Sequence, residues 1–236
     1  MESNMFCYQC QETAKGTGCI LKGVCGKESH TAQAMDLLLF VVRGISVVAD
    51  TLRKADCPVS EEVNVFVTDA LFCTITNANF DDESILKRVD KGITMRNGLI
   101  QEAKHNKVLL PKVDELTWQG TRDDYAGKAK TVGVLREQNE DLRSLKELLV
   151  YGLKGMAAYL EHAMRLGFND DTVHVFMQRA LATIAVEFLS AEEWVKLVLE
   201  AGEFGVKTMA LLDAANTGTY GNPEITKVNI GVKNRP

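Results

Sequence analysis

Histidine is scarce in this chain, four in 236 residues, and none of the four lies between Cys7 and Cys25. That stretch is the most cysteine-dense in the chain, so a mixed cysteine–histidine zinc knuckle is excluded there. Proline is equally scarce, four residues in a leucine- and valine-rich sequence, which favours helices. Apolar runs are short. The longest, Leu37 to Val42, stops at Arg43, far short of the ~18 residues of a membrane span. Positive charge is not in excess either. Lysine and arginine number 27 against 32 acids, for a net charge of −5, which argues against a nucleic-acid surface. No basic segment followed by an apolar one opens the chain, so the expected compartment is the cytoplasm, where thiols stay reduced. A Ser–His–Asp grouping, a phosphate loop and a dinucleotide fingerprint are all missing.

What the chain does have is four cysteines within nineteen residues. Cys7, Cys10, Cys19 and Cys25 read C-x2-C-x8-C-x5-C. The polar residues between them cannot build a core, but they can wrap a compact object, with glycines letting backbone N–H groups approach sulfur. Structural zinc sites favour two short knuckles, and the second pair here is spaced too widely for that. Uneven spacing suits ligands spread around a cluster. Spacing alone therefore favours iron–sulfur and leaves zinc open.

The residues around the cysteines carry a resemblance. Met5-Phe6-Cys7-Tyr8-Gln9-Cys10-Gln11-Glu12-Thr13, then Gly18-Cys19, then Gly23-Val24-Cys25-Gly26-Lys27, resembles the N-terminus of the hybrid cluster proteins, also called prismane proteins or hydroxylamine reductases. The tail from Tyr220 to Val232 is similar too. The resemblance covers the whole chain, and the chain covers less than half of a typical member. It implies that Cys7, Cys10, Cys19 and Cys25 hold a 4Fe–4S cubane, because the x8 spacing matches the cubane branch of the family. It implies an oxidoreductase that converts hydroxylamine to ammonia and water, with nitric oxide reduction also linked to the family. That chemistry belongs to a second, oxygen-bridged hybrid cluster, held by histidine, glutamate and cysteine ligands in later domains. The resemblance thus assigns these residues an electron-relay role, with no catalytic residue before Pro236 and no turnover alone. The partners it implies are a redox donor protein and downstream domains of the same polypeptide, not nucleic acid or a membrane. A stand-alone iron–sulfur carrier and a structural metal-binding helical domain are the alternatives.

The chain also repeats itself. Asp36-Leu37-Leu38-Leu39-Phe40-Val41-Val42-Arg43-Gly44-Ile45 aligns with Glu147-Leu148-Leu149-Val150-Tyr151-Gly152-Leu153-Lys154-Gly155-Met156 at an offset of 111. Val63, Phe66, Val67, Ala70, Leu71 and Thr74 align with Val173, Phe176, Met177, Ala180, Leu181 and Ile184 at 110. Asp82-Glu83 aligns with Glu192-Glu193. A near-constant offset argues for a duplicated unit. Each segment reads as a helix: a long, nearly all-apolar first, a second with apolar spacing 0-3-4-7-8, and a third opened by acids, with a capping box at Ser190–Glu193 in the second copy.

The expected fold is all-α. A cluster loop spans 1–27, a three-helix bundle 28–104, a glycine- and charge-rich linker 105–138, a second bundle 139–216, and a tail 217–236 leads onward. Val228, Ile230 and Val232 alternate like a strand. Gly44 and Gly155 should mark close helix crossings, since each costs ~1 kcal/mol in a helix interior. Cys57 and Cys73 read as ordinary small residues. His30 reads as a surface residue at a helix start, with a bond to a cluster sulfur the lesser option. His105, His162 and His174 read as structural or solvated.

Overall fold

In the computed structural model, residues 5–10, 12–75, 79–186, 188–228 and 231 are described. The fold is all-α. Among the described residues eight α-helices follow the cysteine loop: α1 (Ser29–Lys54), α2 (Glu61–Cys73), α3 (Asp82–His105), α4 (Asp114–Thr117), α5 (Tyr125–Val132), α6 (Glu140–Arg165), α7 (Asp171–Val186) and α8 (Ala191–Tyr220). Among the described residues there is no strand. The strand expected over 228–232 rests largely on Asn229, Ile230 and Val232, which lie outside those residues.

The caps are local and chemical. Asp81 accepts the Ser84 N–H at 3.2 Å to open α3, and Asn139 accepts the Leu142 N–H at 3.1 Å to open α6. Ser190 and Glu193 form the reciprocal capping box at the start of α8. Gly221, at φ +77°, ends that helix.

Helix α1 is the axis of the molecule. From Met35 to Ala49 only Asp36 escapes full burial. By length and composition α1 would suffice to cross a membrane, yet 89% of its apolar window is enclosed by the protein. It is the core helix of a bundle, as its nearly all-apolar sequence predicts.

The two triplets α1–α2–α3 and α6–α7–α8 run in the same order, with α1 and α6 each 26 residues long. Each first helix packs on its own third helix. The second helices are exchanged: α7 lies mainly against α1, and α2 mainly against α6. Side-chain bonds mark the exchange. Arg53 of α1 donates to Asn64 of α2 (2.9 Å) and to Gln178 of α7 (2.6 Å), and Gln178 donates to Asn64 (2.8 Å). Thr68 and His174 join α2 to α7 at 3.2 Å. One continuous core results.

The segment 105–138 connects the triplets but also contributes to that core. Leu116, Tyr125, Ala129 and Val132 are buried in it. Arg96, fully buried, donates to the carbonyls of Glu115 (2.9 Å) and Trp118 (2.8 Å). Composition alone made this stretch look like a bare linker, because its few apolar residues carry no long period. A Cβ on Gly44 would stand 2.5 Å from the Glu115 carbonyl oxygen, so α1 and the α4 turn touch through that glycine. At Gly155 nothing lies within 4 Å of such a Cβ. The close approach expected at both glycines holds at the first only.

We expect Gly44→Ala to destabilise the chain by about 1–3 kcal/mol, the usual cost of overpacking against backbone. Gly155→Ala should stabilise it by up to ~1 kcal/mol through helix propensity. Urea midpoints at constant m-value check both. The duplication itself we propose as an interlocked one. Residues 28–106 and 139–221 expressed apart should then lack cooperative thermal unfolding, and co-expression should restore it. A cooperative melt by either piece alone would show that each triplet closes on itself.

Candidate metal centre

The cysteine loop has little apolar matter of its own. Met5 and Cys19 pack on Ala32 at the start of α1, with Cys7 and Ala14 against them. Backbone pairing does the rest. Cys7 and Cys19 form an isolated antiparallel bridge, with N–H···O distances of 3.0 and 2.9 Å. The first and third cysteines of the motif are thereby placed side by side. Between them the chain turns tightly through Ala14–Gly16 and Gly18, which has φ +120°. A Cβ at Gly18 would strike the Phe6 ring at 2.7 Å, so only glycine fits. Tyr8 straps the turn by donating to the Gly16 carbonyl at 3.2 Å.

The sulfurs sit among donors. Cys19 Sγ receives the Ala14 N–H at 3.5 Å and lies 3.6 Å from the Thr13 hydroxyl. Burial pushes the Cys19 thiol up, but N–H groups of Ala14 and Val24, the Thr13 hydroxyl and Lys27 outweigh it, so its pKa lies below the ordinary value. Burial wins at Cys7, whose pKa is raised although Lys27, the Gln9 N–H and Lys154 favour its thiolate. Cys25 is exposed at the end of a turn closed by Gly26 N–H to Gly23 O (2.8 Å) and Gly23 N–H to Lys27 O (2.8 Å). Cys10 is half-buried. All six cysteines are free thiols. Among the described residues no three cysteine, histidine or acidic side chains are gathered tightly enough to hold one metal ion.

The other candidates are placed plainly. His30 is exposed and pairs through Nε2 with Asp82 Oδ2 at 2.7 Å, tying the starts of α1 and α3. His105 ends α3 at the surface. His162 meets Phe72 edge-on, 5.7 Å between ring centres. His174 is buried between Thr68 and Asn169, and burial lowers its pKa. Cys73 is buried and accepts from Asn79 at 3.2 Å, whereas Cys57 faces the Ala55 carbonyl.

Beneath the loop lies a group of charges that motif reading passed over. A cavity of about 490 Å³ is lined by Gln9 of the loop, Asp36 and Arg43 of α1, Glu147 of α6, and Arg136 and Trp194. Lys27 and Lys154 are both 2% exposed. Burial holds Asp36 up at about 7 against the pull of Lys154, and lowers Lys154 to about 8 against Glu147 and Asp36. A signal for them was present. The repeat places Asp36 on Glu147 and Arg43 on Lys154, charges recurring at matched positions of two otherwise apolar faces.

Free thiols, N–H donors aimed at sulfur, and buried cations nearby form a donor set suited to an anionic thiolate-held group. Comparison with known proteins agrees. The model of the Prismane/CO dehydrogenase family matches residues 5–236. The hydroxylamine reductase of Bacteroides thetaiotaomicron is 55% identical over 234 residues, covering 99% of this chain and 42% of that protein. Those of Porphyromonas gingivalis and Desulfitobacterium hafniense are 54% and 51% identical, each covered to 43%. The chain therefore spans about two fifths of the length of the curated relatives it matches. It belongs to the Prismane/CO dehydrogenase family, a family of iron–sulfur proteins.

Proposed function

We propose that Cys7, Cys10, Cys19 and Cys25 hold a 4Fe–4S cubane, and that this chain is the electron-entry portion of a hydroxylamine reductase. The observation that carries the reading is the Cys7–Cys19 bridge. It sets two motif cysteines together, with N–H and hydroxyl groups turned to one sulfur and a buried ammonium in reach of the other. When bound, the cubane supplies a one-electron relay. The protein's share is to hold the thiolates, shield them and fix the surrounding charge. Cys19, with the Ala14 N–H and the Thr13 hydroxyl at its sulfur, is the best-supported ligand. Cys25, exposed on its glycine turn, leaves one side of the loop open to a donor protein.

Hydroxylamine reduction takes two electrons and two protons and yields ammonia and water. We assign that step to a hybrid cluster in sequence beyond the part matched here. The cytoplasm is the proposed setting, since free thiols persist in a reducing compartment.

Anaerobic reconstitution of the 236-residue chain tests the ligand set. About four irons and four sulfides per chain are expected. Cys10→Ser should lose the brown colour or hold it unstably, and Cys57→Ser should keep it. Bound zinc with no iron after anaerobic purification would overturn the assignment. The division of labour is tested separately. With reduced viologen as donor, the reconstituted chain should show no hydroxylamine turnover. Turnover in protein free of any longer reductase would place the chemistry within these residues.

A further inference from the structure

Two arginines are buried among the described residues, and they differ in how they are satisfied. Arg96 donates to the carbonyls of Glu115 (2.9 Å) and Trp118 (2.8 Å) and, from Nε, to Asn97 Oδ1 (3.3 Å). Arg43 is 8% exposed, yet it makes one long bond, 3.4 Å from Nη2 to the Val132 carbonyl, and its Nε has no partner. No acid among the described residues lies within ion-pair distance of it. A buried cation without a carboxylate partner is costly. Arg43 lines the cavity of about 490 Å³, a volume within the ~300–1,000 Å³ of small-molecule sites.

Two carboxylates line the same cavity. Asp36 stands two turns before Arg43 on α1, ~10 Å along the axis, and Glu147 comes from α6. Neither carboxylate has an ion pair or a hydrogen bond among the described residues. Lys154, whose field reaches both, donates to the Thr74 carbonyl at 3.3 Å and does not line the cavity. The other charges there have partners. Lys146 pairs with Glu137 at 2.6 Å, Arg136 pairs with Glu115 at 2.9 Å, and Arg143 donates to the Glu137 carbonyl at 3.1 Å. Much of the remaining wall is apolar, including Val150, Leu181 and Trp194.

An anion alone would satisfy Arg43 and be repelled by Asp36 and Glu147. A cation alone would satisfy the two acids and be repelled by Arg43. A small molecule carrying both signs satisfies all three. The Nε–H and one Nη–H of a guanidinium form a side-on fork that matches a carboxylate. An ammonium has three donors, enough to bridge two carboxylates. In an α-amino acid the two groups are joined through one carbon, and the side chain is left for an apolar wall.

We propose that this cavity binds an α-amino acid with an aliphatic side chain. Its carboxylate lies on Arg43, its ammonium between Asp36 and Glu147, and its side chain against Val150, Leu181 and Trp194. The site is independent of what the cysteines hold.

Titration calorimetry on the 236-residue chain, purified anaerobically, tests this with three probes that share one apolar body. L-Leucine should bind with a dissociation constant below ~1 mM, and weaker binding or none overturns the proposal. 4-Methylpentanoate lacks the ammonium and 3-methylbutylamine lacks the carboxylate. Each should bind at least about tenfold more weakly than leucine, and either one closer to leucine than that overturns the zwitterion site. Arg43→Met should keep the wild-type circular dichroism, since a buried cation without a partner does not hold the fold together. It should weaken leucine at least about tenfold, and a smaller loss overturns the proposal. Should Arg43→Met fail to fold, Glu147→Gln decides, because that carboxylate makes no contact the fold needs. The same tenfold loss is expected there, and a smaller one overturns the proposal.

Discussion

A helix with no outside governs this fold. Helix α1 buries residues around almost its whole circumference from Met35 to Ala49. An ordinary surface helix buries one stripe and is content with one or two neighbours. Full enclosure requires neighbours on every side, and α2 and α3 cannot supply them all. Helix α7, from the other half of the chain, and α5, from the connection, close the remaining sides. The exchange of second helices and the folding of the connector are thus consequences of one constraint. Local glycine chemistry follows from it as well, since Gly44 lets the α4 turn reach the surface of α1.

The same enclosure shifts the charges buried with it. Asp36 and Arg43 sit on the otherwise apolar α1, and Glu147 and Lys154 at the matched places on α6. In low dielectric their fields are poorly screened, so Glu147 shifts Asp36, Arg43 and Lys154, and Lys154 in turn shifts Asp36 and Glu147. Burial is the leading cause at Asp36, Arg43, Glu147 and Lys154 alike, and in each it works against the charged form. Exposed pairs such as Lys22–Glu28 and Lys91–Glu62 lie in water and exert no comparable influence.

Much of this was legible in residues. Periodicity located the helices of both triplets, and acids and Ser190 marked where α3 and α8 begin, because caps are local chemistry read from a few neighbours. The cysteine spacing with its flanking residues pointed to the family. What was not legible is partnership. The stripe on α7 is equally able to face α6 or α1, and nothing in its sequence names the choice. The connector hid its contribution because Leu116 stands on the one-turn α4 and Tyr125, Ala129 and Val132 on the eight-residue α5, both too short for a sustained period. Gly155 misled for the converse reason: a glycine repeated in sequence need not meet the same surroundings, and the turn that presses on Gly44 has no counterpart there. Lys154 was visible only as half of an aligned Arg/Lys pair, a signal that gained meaning once both proved buried.

The loop differs in kind from the bundle it sits on. Its buried apolar contribution amounts to Met5 and Cys19 against Ala32, far too little to offset the ordering of some twenty residues. Its shape depends instead on the Cys7–Cys19 bridge, on Thr13 reaching the Cys7 carbonyl at 3.3 Å, and on glycine turns at positive φ. Such a loop has fewer alternatives to thiolate ligation than a packed domain has to any single contact. Binding energy at the four sulfurs would appear directly as order in the loop, as it does wherever a metal site substitutes for a hydrophobic core. The bundle, with one continuous core, needs no such help. Loop and bundle are therefore held by different means, the one by backbone pairing and glycine turns, the other by burial.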